Sequence, residues 1–210
     1  MVEIELKSKE LKEFVYLTLD KDRSTPIYDE DLDQIKDVTL DGLDLLDEPT
    51  DATILDLIFF TSLETCMIAD KVISESEVEV LNKLESIKTI QFTNCIFPKG
   101  KKIKCNATYL IVDGCKYFDA NVFNEMKCLT KLCVVNCENV NLVGIQELNE
   151  LKNVYLQNLE LNDINDISNL KKIEYLNLNG TKVKNMEEII KNKNIKIEHE
   201  ERNYIYDVEN

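Results

Sequence analysis

The sequence predicts an α/β fold: a curved, right-handed solenoid with a parallel β-sheet on its concave side and short helices and turns on its convex side. Two observations carry this. Apolar-x-apolar pairs recur along nearly the whole chain, and the stretches between them read as short helices or turns. The pairs fall at 17/19, 38/40, 66/68, 90/92, 110/112, 132/134, 154/156, 176/178 and 195/197, at intervals of 21, 28, 24, 20, 22, 22, 22 and 19 residues. Both side chains of a pair lie on one face of a short strand. One such strand cannot bury that face alone. Stacking successive units builds a continuous core and pairs backbone groups between neighbours.

Taken in order, FVYLTLD (Phe14, Leu17, Leu19) and IKDVTLDGLDL (Ile35, Val38, Leu40, Leu43) are the weaker copies. LETCMIADKVI supplies Leu63, Cys66, Ile68 and Ile73, and IKTIQFTNCIF supplies Ile87, Ile90, Phe92, Cys95 and Phe97. TYLIVDGCKYF, LTKLCVVNCEN, LKNVYLQNLEL and IEYLNLNGTKV follow, and NIKIEHE is a last partial copy. Among the returns, SESEVEVLNKLES at 74–86 opens on Ser and Glu and carries Val78, Leu81 and Leu84 at helical spacing. PTDATILDLIFF, DANVFNEMK and NMEEIIKN look similar, while 159–170 fits a shorter turn. The chain reads as one domain, 1–210, with repeats over 14–197. The charged segments 1–13 and 198–210 serve as end caps, since an uncovered sheet edge invites pairing with another chain.

The repeat resembles that of leucine-rich-repeat proteins, L-x-x-L-x-L-x-x-N/C-x-L. The likeness is clearest over 81–185, where LELNDINDISNLKKIEYLNL resembles the 22-residue class of bacterial internalin-like repeats. The resemblance implies the solenoid fold and is a poor guide to function.

In a leucine-rich repeat the N/C slot points inward where the chain leaves the strand. Cys95, Cys115 and Cys137 occupy it, and Leu159 and Thr181 take it later. Cysteine there acts as a small buried hydrophobe with a weak S–H donor, so these three form a structural ladder. A zinc site needs about four converging ligands, whereas a solenoid sets successive slots in a row roughly 5 Å apart. There is no C-x-x-C. Cys66 belongs to a strand core, and Cys105 and Cys128 to returns. Cys133, between Leu132 and Val134, faces the concave side as the thiol expected to be reachable, with Lys131 the only neighbour that could lower its pKa.

At 44% hydrophobic the chain folds despite a net charge of −15. Its charged N-terminus is no secretory signal, and no apolar run reaches the ~18 residues that span a bilayer. Seven cysteines without paired spacing fit reduced thiols in a cytoplasm. Acidity repels nucleic acid and anionic membranes and permits a basic protein partner. DKDRSTPIYDED at 20–31 has an EF-hand flavour but Pro26 in place of the turn glycine, and reads as a solvated acidic loop. No phosphate-binding, nucleophile-elbow or zinc-protease motif occurs, and the lone His199 lies in the expected C-terminal cap. The sequence therefore predicts a non-enzyme without cofactor or metal.

Residues flanking each inward pair face outward together. The row between the pairs reads Thr18, Thr39, Met67, Gln91, Ile111, Cys133, Tyr155, Asn177 and Lys196. The row before reads Tyr16, Asp37, Thr65, Thr89, Tyr109, Lys131, Asn153, Tyr175 and Asn194, and the row after includes Asp20, Asp41, Asp113 and Val135. Met67, Tyr109, Ile111, Cys133, Val135, Tyr155 and Tyr175 form an apolar, Tyr-rich centre with a polar rim, the way binding surfaces are built. β-Propensity alone would also favour Tyr, Ile and Val there. The expectation is a protein-binding scaffold acting through this face. The alternatives are an acidic inhibitor or immunity-type protein docking a basic partner, and a thiol- or metal-dependent activity at Cys133.

Overall fold

The computed structural model describes residues 1–42, 50–162, 164–184 and 195–200. Leu43, Asn194, the helix expected at 185–192 and residues 201–210 of the expected cap lie outside them. In chain order come α1 (Lys9–Thr18), α2 (Asp29–Leu32), β1 (Asp37–Asp41), β2 (Thr65–Ala69), α3 (Glu75–Leu81), β3 (Thr89–Thr93), β4 (Tyr109–Asp113) and β5 (Tyr117–Asp119). There follow α4 (Ala120–Phe123), β6 (Lys131–Val135), β7 (Asn139–Asn141), β8 (Asn153–Gln157), β9 (Glu160–Leu161), α5 (Asn165–Ser168), β10 (Tyr175–Asn177), β11 (Lys182–Val183) and β12 (Lys196–Glu198). Short 3₁₀ helices cover Ile54–Phe59 and Ile145–Glu147.

Eight strands form one sheet in the order β1-β2-β3-β4-β6-β8-β10-β12. Every pairing in it is parallel. The inward pairs from Val38/Leu40 to Leu176/Leu178 are all buried, as is Ile195 in the last. Burying each such side chain stabilises the fold by about 1.5–3 kcal/mol. Behind the sheet Phe92, Phe97, Phe118 and Phe123 pack ring on ring, with Phe92–Phe97 at 5.0 Å edge-on and Phe118–Phe123 stacked at 5.8 Å. They lock the return after β3 against the core.

The return helices start where capping chemistry allows. Ser74 accepts from the Glu77 N–H while the Glu77 carboxylate reaches back to the Ser74 N–H, closing a capping box on α3. Asp119 caps α4 through the Asn121 N–H. The acidic loop at 20–31 is a local turn: Asp22 accepts from the backbone N–H and hydroxyl of Ser24, and Lys21 pairs with Asp31.

Two expectations are corrected. The strand at Leu17/Leu19 is instead α1, so Thr18, Tyr16 and Asp20 leave the outward rows. Tyr16 is buried and its hydroxyl donates to the Thr25 carbonyl at 3.0 Å. Helix wins because Ser8 caps the Leu11 N–H and Leu11 and Val15, four apart, bury together. The last strand is also set two residues differently. Lys196 lies beside Tyr175, Ile197 beside Leu176 and Glu198 beside Asn177. A two-residue shift keeps each side chain on its face, so Glu198, and not Lys196, ends the central row.

Candidate functional site

The outward face of β4, β6, β8 and β10 holds most of the expected site residues. Ile111, Cys133 and Tyr155 are direct neighbours in register, as are Tyr109 and Lys131. Val135 lies between Asp113 and Gln157, and Tyr175 sits opposite Asn153. All six expected residues on these strands are half-buried. Met67 stands apart on β2 and is 39% exposed, separated from Ile111 by Gln91.

The tyrosines are held by specific contacts. The Tyr155 and Tyr175 rings lie 5.3 Å apart and tilted. The Lys131 ammonium sits 4.2 Å from the Tyr109 ring and 5.1 Å from that of Tyr155, a cation held on two ring faces. The Tyr175 hydroxyl donates to Glu198 Oε2 at 2.6 Å and accepts from Asn177 Nδ2 at 3.1 Å. Its pKa is raised, because the carboxylate prefers the protonated phenol. Asn177, expected to be an outward polar residue, is buried and also accepts from Gln157 at 2.9 Å. This network ties Tyr175, Asn177 and Gln157 to one another and to Glu198 across three strands.

The two rims differ. At the N-terminal ends of the strands, opposite charges pair: Lys36 and Lys88 flank Glu64 at 3.3 and 2.6 Å, and Lys152 meets Glu174 at 3.3 Å. At the C-terminal ends, positions 41, 70, 94, 113, 136, 157, 158 and 179 are Asp, Asn or Gln. Asp70, Asn94, Asn136 and Asn158 adopt left-handed backbone there, as do Gly114 and Gly180, a conformation these residue types tolerate best. Their side chains bond in series: Asn94 Nδ2 to Asp70, Asn136 Nδ2 to Asp113 and Asn158 Nδ2 to Asn136, each at 2.9 Å. Strand alternation places Asp41 and Asp113 in the outward rows but not the corner residues Asp70, Asn94, Asn136 and Asn158, whose signal was the Asn, Asp or Gly one residue before each N/C slot.

Cys95, Cys115 and Cys137 are buried one residue further on. The Cys115 sulfur accepts from the Cys95 N–H at 3.2 Å, and Cys95 Sγ and Cys137 Sγ donate to the carbonyls of Ile68 and Val112. Thr181 repeats the pattern with a hydroxyl, accepting from the Leu159 N–H at 3.1 Å and donating to the Leu156 carbonyl at 2.7 Å. Cys115 and Thr181 thus each both donate and accept in the slot, whereas Leu159 fills it as a buried apolar side chain. Among the described residues no three His, Cys, Asp or Glu side chains converge as metal ligands.

Cys133 is only half-buried, yet burial pushes its thiol pKa up despite Lys131 beside it. Lys131 leans on the rings of Tyr109 and Tyr155. The exposed thiol is Cys128, which sequence reasoning assigned to a return without expecting it to be reachable. His199 Nε2 lies 3.0 Å from the Thr181 carbonyl.

The fold is that of a leucine-rich-repeat solenoid, and solved structures share it. An internalin, InlF, from Listeria monocytogenes aligns with a TM-score of 0.63 at 14% identity over 92% of this chain and 63% of that one. Internalin C2 (InlC2) from Listeria monocytogenes aligns at 0.53 and 15%, covering 92% and 93% of the two chains. A secreted internalin-like protein from Listeria monocytogenes aligns at 0.54 and 16%, covering 95% and 67%. This chain therefore has the internalin-type solenoid architecture and spans less than two thirds of the InlF chain. Neither the scan against protein-family models nor the search of curated proteins found a match. Among the described residues no helix is long and apolar enough to cross a membrane.

Proposed function

We propose that the protein is a non-catalytic scaffold that binds a protein partner on the concave face of its sheet, at Tyr109, Ile111, Cys133, Val135, Tyr155 and Tyr175, with Met67 extending the surface. One observation carries this reading: a half-buried tyrosine cluster, fixed by hydrogen bonds and a lysine, on a sheet face that the described helices leave open. Rigid aromatic groups inside a polar rim supply contact area at low entropic cost. The raised Cys133 pKa speaks against a thiol nucleophile.

The partner is a protein with basic residues, drawn by the net charge of −15 and the acidic C-terminal rim. Seven unpaired thiols, five of them buried, suit a reducing cytoplasm. The test is an affinity capture from source-cell lysate with wild type and Tyr155→Ala/Tyr175→Ala. The expected result is a partner held by wild type, lost by the double variant, and released progressively by salt. A partner kept equally by both chains contradicts the reading.

A further inference from the structure

Two lysines, Lys131 and Lys196, occupy the outward rows of the sheet among the described residues. Lys196 pairs with Glu198 at 2.7 Å. Lys131 has no carboxylate within ion-pairing distance among the described residues, and its ammonium meets only the ring faces of Tyr109 and Tyr155. Ring faces attract a cation yet leave most of its three N–H donors unanswered. In the open face water answers them. Once a partner covers the face, water is excluded and unanswered donors become costly. The covering surface must therefore bring an acceptor, and a carboxylate makes the strongest bond to an ammonium that an unmodified side chain offers.

We propose that Lys131, clamped between Tyr109 and Tyr155, anchors an Asp or Glu side chain of the bound protein segment. This rests on the concave face being the binding surface. The surroundings restrict the segment further. Asp113 lies on the adjacent strand, and among the described residues its carboxylate accepts from a neutral amide, Asn136. Asp37 and Asp41 share the same sheet face, and the whole chain carries −15. A lone acidic peptide would be repelled by that field. The segment that fits has one carboxylate flanked by Lys or Arg, its acid on Lys131 and a cation toward Asp113 on the adjacent strand. A phosphate would bring a second charge against the same field, so the carboxylate is the better match.

A phage-displayed library of random dodecapeptides, selected on the immobilised full chain, tests this. Retained peptides are expected to hold Asp or Glu beside Lys or Arg. Lys131→Met should weaken them by about tenfold or more, and Lys131→Arg, which keeps the charge, should retain them. Lys131→Glu should bind only peptides whose acid has been changed to Lys. If Tyr155→Ala abolishes binding while Lys131→Met leaves it intact, the face stands and the lysine anchor is overturned. If neither substitution changes binding, or if no peptide is retained, both the anchor and the face are overturned.

Discussion

Gly114 shows how much the left-handed corner that follows most strands of the main sheet asks of one residue. Its φ is +62°, and a Cβ placed there would lie 2.4 Å from Asn94 Oδ1. Asn94 cannot simply yield, because its amide is committed to Asp70 at 2.9 Å. Gly100 has a similar φ of +72° with nothing within 4 Å. Ala at either site meets the left-handed penalty of about 1–2 kcal/mol. Only at Gly114 is a steric clash added. Gly114→Ala should therefore lower the urea midpoint clearly more than Gly100→Ala, and equal losses would refute the corner ladder. The buried thiols act at the same scale. Burial pushes Cys66 and Cys95 up to about 12 from an ordinary value of 9.0. Between those pH values the unfolded chain has released these protons and the folded chain has kept them. The unfolded state then holds fewer protons, so stability falls as pH rises through that window. Cys66→Ala should flatten this decline in pH-dependent urea titrations; an unchanged slope would refute the assignment.

α1 is an element docked by its end. The Asp51 carboxylate accepts from the N–H groups of Lys9 at 2.8 Å and Glu10 at 3.2 Å and from the Ser8 hydroxyl at 3.1 Å. Asp56 accepts from the Ser8 N–H at 2.8 Å. The Lys9 N–H is the chief cause holding the Asp51 pKa below the usual carboxylate range, ahead of the opposing burial. That contribution is complete above the ordinary carboxylate pKa and is lost as pH falls through the lowered one. Asp51→Ala should cost about 1 kcal/mol, as loss of a helix cap does. Hydrogen exchange at the Leu11 and Val15 amides should quicken while that of Leu132 and Val154 stays slow. Uniform change across both sets would contradict local docking. The same element marks the limit of sequence reading. The strands from Val38 onward were legible because two inward side chains per strand repeat at fixed offsets. Leu17 and Leu19 satisfy that pattern too, and only the Ser8 cap with Leu11 and Val15 tells helix from strand. The last strand was misaligned because Ile195/Ile197 satisfies the apolar pairing, whereas backbone pairing sets Ile197, not Ile195, beside Leu176. The outward residues could be enumerated from strand alternation alone. The bonds that organise them, such as Tyr175 to Glu198, span strands and depend on that register.

At the scale of the whole molecule, each repeat packs mainly on its neighbours, so the sheet presents one continuous face with a graded character. Ion pairs neutralise one rim, amides and carboxylates line the other, and the tyrosines with Lys131 stand between them. Net charge acts at long range on any basic partner, while the aromatic centre acts only on contact. Away from this face the exposed apolar residues include Val143, 56% exposed, and the bridged neighbours Val72 and Ile96, 72% and 51% exposed. The most direct test is site-specific photo-crosslinking in source-cell lysate, with p-benzoylphenylalanine replacing Asn153 on the concave face or Val143 on the convex one. Asn153 lies in register between Lys131 and Tyr175. A discrete protein adduct is expected from position 153 and none from position 143. An adduct from position 143 alone would contradict it.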